Sequence, residues 1–197
     1  MTGDSGGRVL VAGVGNVFLA DDGFGVAVVQ RLLAAASGPA ADDALDAGPL
    51  PEEVDVADYG IRGVHLAYDL LDGRHEVLVL VDALPLREPP GTLAVLDVDV
   101  HDPAWTLRPA DALEFPPADG HGMDPESVLR LLRSLGGRIG KVVVVGCQPA
   151  VVEERMGLSE PVERAVTEAA RLVAGVAREQ AALLRRPDAD GMVRAHA

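Results

Sequence analysis

The sequence predicts a three-layer α/β/α sandwich on a mostly parallel five-stranded sheet with one antiparallel edge strand. Three observations predict it. Stretches with strand character alternate with stretches of helical periodicity along most of the 197 residues. EVLVLV at 76–81 and KVVVV at 141–145 are near-continuous apolar runs, the pattern of strands buried on both faces between helix layers. The stretch at 92–98 alternates weakly and follows a Pro-Pro-Gly turn, which suits an edge strand.

Residues 1–7, MTGDSGG, are polar and Gly-rich and are expected to form a disordered tail. The first strand covers 9–14. Gly13, Gly15 and Asn16 then turn the chain, and the adjacent acids Asp21 and Asp22 precede a helix over 25–36. Its apolar positions Val26, Val29, Leu32 and Leu33 fall at helical spacing. The acidic loop is longer than a strand-to-helix turn needs, and such loops are usually functional. Residues 37–51 are rich in Ala, Pro, Gly and Asp and read as an irregular surface connection. The second strand covers 54–57 and ends at Asp58, 59–63 is a turn, and the second helix covers 64–71.

The third strand stops abruptly at Asp82, before the prolyl loop LPLREPPG. Residues 101–122 hold four prolines and little periodicity. Asp124-Pro125 starts a third helix, with Asp as N-cap and Pro at the first helical position. Val128, Leu131, Leu132 and Leu135 form its apolar face, and Gly136-Gly137 closes it. The last strand ends at Gly146, 148–156 is a loop, and Ser159 caps a final helix over 160–184. Residues 185–197 are a second expected tail. The expectation is one domain over 8–184, without internal repeat or linker.

Composition bounds the function. A net charge of −14 and a pI near 4.6 argue against a nucleic-acid partner, because few cations are available to replace released counterions. No apolar run is long enough to span a bilayer, and the N-terminus lacks a basic and apolar signal region. The expectation is a soluble, cytoplasmic protein with no membrane partner. A single cysteine, Cys147, excludes an internal disulfide and a Cys-built zinc site.

In open α/β sheets, ligands collect beyond the carboxyl ends of the strands. Asp21 and Asp22 follow the first strand, Asp58 the second, Asp82 the third and Gln148 the last, while His121 stands just before a helix start. Carboxylates converging on one edge repel each other unless they bind a cation or shift their pKa. A histidine at the same edge makes a mixed nitrogen–oxygen metal site plausible. Spacing does not decide the matter, because Asp22, Asp82 and His121 form no local ligand motif. Asp22 beside Gly23 is also ordinary turn or helix-entrance chemistry, Asp82 a strand terminator bonded to nearby amides, and His121 a surface histidine. His65, His75 and His101 read as solvent-facing, and Asp58 and Arg62 as a pair within their own turn. Cys147 reads as a small buried residue with no activating partner in view. There is no HExxH and no Gly-x-Ser-x-Gly elbow. A dinucleotide fingerprint begins at Gly13-Val14-Gly15 but fails at Phe18, where the third glycine would stand, and two carboxylates there would repel phosphate.

GVGN at 13–16, LADDGFGV at 19–26, LVLVDAL at 78–84, DGHGMDPESVLRLL at 119–132, GCQP at 146–149 and MGLSEPV at 156–162 together resemble the hydrogenase maturation endopeptidases. The similarity runs from about residue 8 to 173, and its first block is the most specific. The resemblance implies a hydrolase, aspartyl-type by similarity, that removes a C-terminal extension from the large-subunit precursor of a nickel-iron hydrogenase after nickel insertion. It implies that Asp22, Asp82 and His121 form the catalytic, metal-binding set, and that the nickel is supplied by the precursor. The metal would polarise the scissile carbonyl or activate water. A monomer is the family expectation.

Two departures from the family pattern stand out. An Asp-Gly-Gly-Thr-like turn is replaced by Asp58-Tyr59-Gly60-Ile61-Arg62-Gly63, so Asp58, Gly60 and Arg62 are the expected contacts to the substrate protein, and the identity of the cognate hydrogenase is open. Asp22 stands where some relatives carry Glu, one methylene longer. Two other functions remain at this stage. One is a nickel-sensing chaperone that holds the precursor without cutting it; the other is a nucleotide- or small-molecule-binding α/β domain.

Overall fold

A computed structural model describes residues 7–37, 49–100 and 125–185. The elements in chain order are β1 (Arg8–Val14), a 3₁₀ turn (Ala20–Gly23), α1 (Phe24–Ser37), β2 (Val54–Gly60), α2 (Gly63–Leu70), β3 (His75–Ala83), β4 (Leu93–Val98), α3 (Pro125–Ser134), β5 (Lys141–Cys147) and α4 (Glu160–Leu184). The sheet order is β2-β1-β3-β5-β4. All pairings are parallel except β4 against β5, which is antiparallel at the sheet edge. This is the sandwich that the alternating pattern predicts.

The continuous apolar runs are explained by two cores sharing one sheet. Val9, Val11, Val77, Val79 and Val81 face α1 and α4. Leu10, Ala12, Leu78, Leu80, Val142 and Val144 face α2 and α3. With successive side chains pointing to opposite faces, a strand covered on both sides must be apolar at every position. Each fully buried Val or Leu contributes about 1.5–3 kcal/mol relative to exposure. The buried face of α4 is largely alanine (Ala165, Ala169, Ala170, Ala174, Ala177 and Ala181), which lets a long helix lie close to the strands.

Glycines set how α1 meets the sheet. A Cβ on Gly25 would stand 2.1 Å from the Val81 carbonyl oxygen and 2.4 Å from that of Val14. A Cβ on Gly13 would stand 2.4 Å from the Gly25 carbonyl oxygen. Only glycine lets α1 begin directly over the ends of β1 and β3, and this places the preceding acidic turn at the same edge.

Several expectations are corrected. The acidic loop is partly ordered as the 3₁₀ turn. β2 continues past Asp58 through Tyr59 to Gly60, because a register shift at Gly13/Val14 pairs Val14 with Gly60. His75 is buried, at 5% exposure, rather than solvent-facing. It opens β3, and its Nε2 lies 2.9 Å from Asp55 Oδ2, a partner 20 residues away that local sequence context does not reveal. Arg8 closes the cluster with Nε and Nη2 each 2.7 Å from an Asp55 oxygen. Apart from Gly7 and Arg185, the expected tails lie outside the described residues. So do 38–48, the prolyl segment with His101 and His121, and the Asp124 cap. Among the described residues, no helix is long and apolar enough to cross a membrane.

Candidate active site at the carboxyl edge of the sheet

Because β1, β2, β3 and β5 are parallel, the loops after them meet at one edge. The two adjacent acids after β1 differ sharply there. Asp21 is 0% exposed. Its Oδ2 accepts the Ala150 N–H at 2.8 Å, the Val151 N–H at 3.0 Å and the Ser159 hydroxyl at 2.8 Å. Its Oδ1 accepts the Ser159 N–H at 2.6 Å. Burial pushes the carboxyl up, but the donors from Ser159, Val151 and Ala150 outweigh it and hold the group below the usual range. Backbone bonds extend the seam: Ala20 N–H to the Arg155 carbonyl at 2.7 Å, and Arg155 N–H to the Phe18 carbonyl at 3.0 Å. Asp21 thus fastens the loop after β5 to the loop after β1.

Asp22 is half-buried and folded back on the strand end. Its Oδ2 accepts the Asn16 N–H at 2.6 Å, and its own N–H donates to the Leu19 carbonyl at 3.2 Å. Gly15, at φ +122°, makes this possible, since a Cβ there would stand 1.9 Å from the Asp22 carbonyl oxygen. The Asn16 side-chain oxygen accepts the Phe18 N–H at 3.0 Å and tightens the turn.

Asp82 lies near the end of β3, buried at 8% exposure, with Oδ1 accepting the Ala83 N–H at 2.8 Å. β3 pairs with β1, and the 3₁₀ turn carrying Asp22 packs against β3. The structure therefore brings Asp22 and Asp82 to one edge. His121 lies outside the described residues. Among the described residues, no group of three or more His, Cys, Asp and Glu is gathered closely enough to hold a metal. Asp22 and Asp82 present carboxylate oxygens, a hard donor type that suits a divalent cation.

The turn after β2 borders this edge. The Gly60 carbonyl accepts the Gly15 N–H at 3.0 Å, and Gly60 has φ +51°. Asp58 Oδ2 accepts from Gln30 Nε2 at 3.3 Å. Arg62 does not pair with the Asp58 carboxylate; it donates to the Asp58 carbonyl at 2.5 Å and the Tyr59 carbonyl at 3.2 Å. A guanidinium so placed pins the turn and leaves Asp58 to α1.

Gln148 is structural. Its Oε1 accepts the N–H groups of Leu86 at 2.6 Å and Arg87 at 2.9 Å, holding the prolyl loop. Cys147 is buried, and its thiol is pushed up to about 12 by burial first and the Asp21 charge second. A cavity of about 630 Å³ beside α4 and one of about 530 Å³ under α3 both lie away from Asp22 and Asp82.

Sequence reasoning assigned Asp21 no separate role and gave Ser159 a helix-capping one. Ser159 does hold the N-cap position of α4, but no side-chain capping bond forms there, and its hydroxyl goes to Asp21 instead. Neighbouring acids look alike in sequence, and only the chain 138 residues away separates them.

A sequence-family model described as hydrogenase maturation protease matches residues 43–176. The chain belongs to the hydrogenase maturation protease family. This maturation protease is 30% identical to the hydrogenase 2 maturation protease of Escherichia coli, over 87% of this chain and 92% of that one. The solved structure of the hydrogenase maturating endopeptidase HybD from E. coli superposes with a TM-score of 0.59 at 26% identity, covering 88% of this chain and 93% of the other. A hydrogenase 2 maturation peptidase from a Thaumarchaeota archaeon gives a TM-score of 0.55 at 31% identity, over 86% and 97% of the two chains. Family membership makes this maturation protease a peptide-bond hydrolase.

Proposed function

We propose that this maturation protease removes the C-terminal extension of a nickel-iron hydrogenase large-subunit precursor once nickel is in place, with Asp22, Asp82 and His121 as the protein ligands to the precursor's nickel. The observation that carries the reading is the convergence of Asp22 and Asp82 on one sheet edge, each bonded to backbone that fixes its direction. Two carboxylates brought together repel each other, so a cation delivered by the substrate relieves that repulsion. The nickel, when bound, supplies Lewis acidity at the scissile carbonyl.

This chain's own residues do the positioning. Asp21 locks the acidic turn, Gly15 and Gly25 let it approach the strand ends, and Asp58, Gly60 and Arg62 offer a bordering turn to the substrate protein. A precursor without nickel lacks the group that Asp22, Asp82 and His121 hold, so it is left uncut. The partner is the precursor, and the enzyme acts as a cytoplasmic monomer.

The test is a processing assay with Asp22→Asn, Asp82→Asn and His121→Ala. Each should lose cleavage of the nickel-loaded precursor by at least about 100-fold, with circular dichroism unchanged. Cleavage near the wild-type rate by any one of them would remove that residue from the set.

A further inference from the structure

We infer that the cavity of about 530 Å³ under α3 is a binding site for a small hydroxylated aliphatic carboxylate, held by Arg133 and Arg138 at its mouth and by the buried His75. The site stands at the amino edge of the sheet, and the inference does not rest on the proposed function.

The cavity is built from strand starts and the end of one helix. β1 opens at Arg8, β3 at His75 and β5 at Lys141, so these residues lie opposite the edge that carries Asp22 and Asp82. Asp55 pairs in register with Leu10 and shares its face of the sheet, the one covered by α2 and α3. His75, bonded to Asp55, lines the cavity on that face. Leu129 and Leu132 of α3 and Ile139 of the following turn supply an apolar wall. Small-molecule sites of this size combine such walls with a few placed polar groups.

His75 carries the unmet bond. Its side chain is 4% exposed, and its Nδ1 is buried with no hydrogen-bond partner among the described residues. Buried polar atoms left unmatched are costly and rare. Asp55 fixes the role of the other ring nitrogen. The hydrogen bond from Arg8, the largest cause, holds the Asp55 carboxyl at about 2, so the carboxylate only accepts and Nε2 carries the proton. Nδ1 then accepts in the neutral ring and donates in the imidazolium. A hydroxyl matches both states, since it can donate or accept.

The mouth selects an anion. In a chain of net charge −14, Arg133 and Arg138 line this cavity against one acid, Glu76. Both arginines are exposed and so stand at the mouth. Glu76 is turned toward the start of β1, since a Cβ on Gly7 would stand 2.7 Å from its Oε2. Arg133 also donates to the Val100 carbonyl, which holds its guanidinium in place. The planar N–H fork of a guanidinium matches a carboxylate. Apolar wall, cationic mouth and unmatched nitrogen together describe a ligand with an aliphatic body, a carboxylate and a hydroxyl.

The test is isothermal titration calorimetry of the full-length protein with 3-hydroxyoctanoate, octanoate and 1,3-octanediol. The first should saturate one site and bind at least about tenfold tighter than either of the others. His75→Gln keeps a donor for Asp55 and deletes Nδ1. It should erase the preference for 3-hydroxyoctanoate over octanoate and leave octanoate affinity unchanged. Arg133→Gln/Arg138→Gln should erase the preference over 1,3-octanediol. If His75→Gln does not fold, the arginine variant, altered only at exposed side chains, still decides. No saturable binding of 3-hydroxyoctanoate to wild type up to about 5 mM would overturn the inference. So would equal affinity for the three probes, or preferences that the variants leave unchanged. Amide chemical shifts locate the ligand: changes centred on His75, Leu129 and Ile139 support the site, and changes confined to the edge of Asp22 and Asp82 overturn it.

Discussion

Asp21 and Ser159, 138 residues apart in the chain, are joined twice: the Asp21 carboxylate accepts both the Ser159 N–H at 2.6 Å and the Ser159 hydroxyl at 2.8 Å. With Ala150 and Val151 as further donors, this carboxylate turns two loops into one platform, on which its neighbour Asp22 is presented.

Replacing Asp21 should therefore cost stability before chemistry. Asp21→Ala leaves four buried donors without an acceptor and is expected to lower unfolding free energy by about 3 kcal/mol or more. Asp21→Asn keeps the volume but turns an amide against those donors, with a loss of about 2 kcal/mol. Urea unfolding monitored by circular dichroism measures both, and a change below about 0.5 kcal/mol for Asp21→Ala would show that the hub is dispensable.

The pH dependence follows in sign from the same group. The folded-state pKa of Asp21 is depressed, so its contribution is complete above the unfolded carboxyl range and is lost as pH falls below about 4. Asp55 behaves likewise at the opposite edge. The hydrogen bond from Arg8 is the largest cause, opposed by burial and aided by His75, and the Asp55 pKa falls to about 2. Asp55 is 40% exposed on its side chain, so the solvent-screened contribution is about 1 kcal/mol, lost as pH falls from about 4 toward 2. Unfolding free energy measured at several pH values should fall through this window, and Asp55→Asn should flatten part of the slope.

Gly25 is the tightest contact between α1 and the strand ends. Gly25→Ala would drive a methyl group to 2.1 Å from the Val81 oxygen, forcing α1 off the sheet. A stability loss of about 3 kcal/mol is expected, with processing lost as the acidic turn shifts away from Asp82. Gly73→Ala is the control for cavity-free substitution at positive φ, since nothing lies within 4 Å of a Cβ there; it should cost about 1 kcal/mol and leave processing intact.

Cys147 should be chemically silent. Its thiol is fully buried and pushed up to about 12. Reaction with a thiol reagent at pH 8 should wait for unfolding, and Cys147→Ala should retain processing. Rapid labelling of the native protein, or loss of cleavage in a folded Cys147→Ala variant, would point to a cysteine in the chemistry.

The fold was legible because the apolar runs of β1, β3 and β5 leave no other placement than the middle of a parallel sheet, and Pro89-Pro90-Gly91 marks where β4 begins its edge course. Asp22 and Asp82 were legible as candidates because each closes or follows such a run. What stayed hidden was long-range. Nothing near Asp21 announces Ser159, and nothing near His75 announces Asp55, since both partnerships form only when distant strand ends come side by side. Arg62 misled for a related reason: opposite charges four residues apart invite an ion pair, yet its guanidinium serves two backbone carbonyls of the turn.

The most direct measurement is intact mass spectrometry of the large-subunit precursor after incubation with this protein, with nickel-loaded and nickel-free precursor run side by side. Loss of a C-terminal peptide from the loaded form alone is the expected result. Equal cutting of both forms would contradict nickel gating, and binding without any mass change would move the protein to a chaperone role.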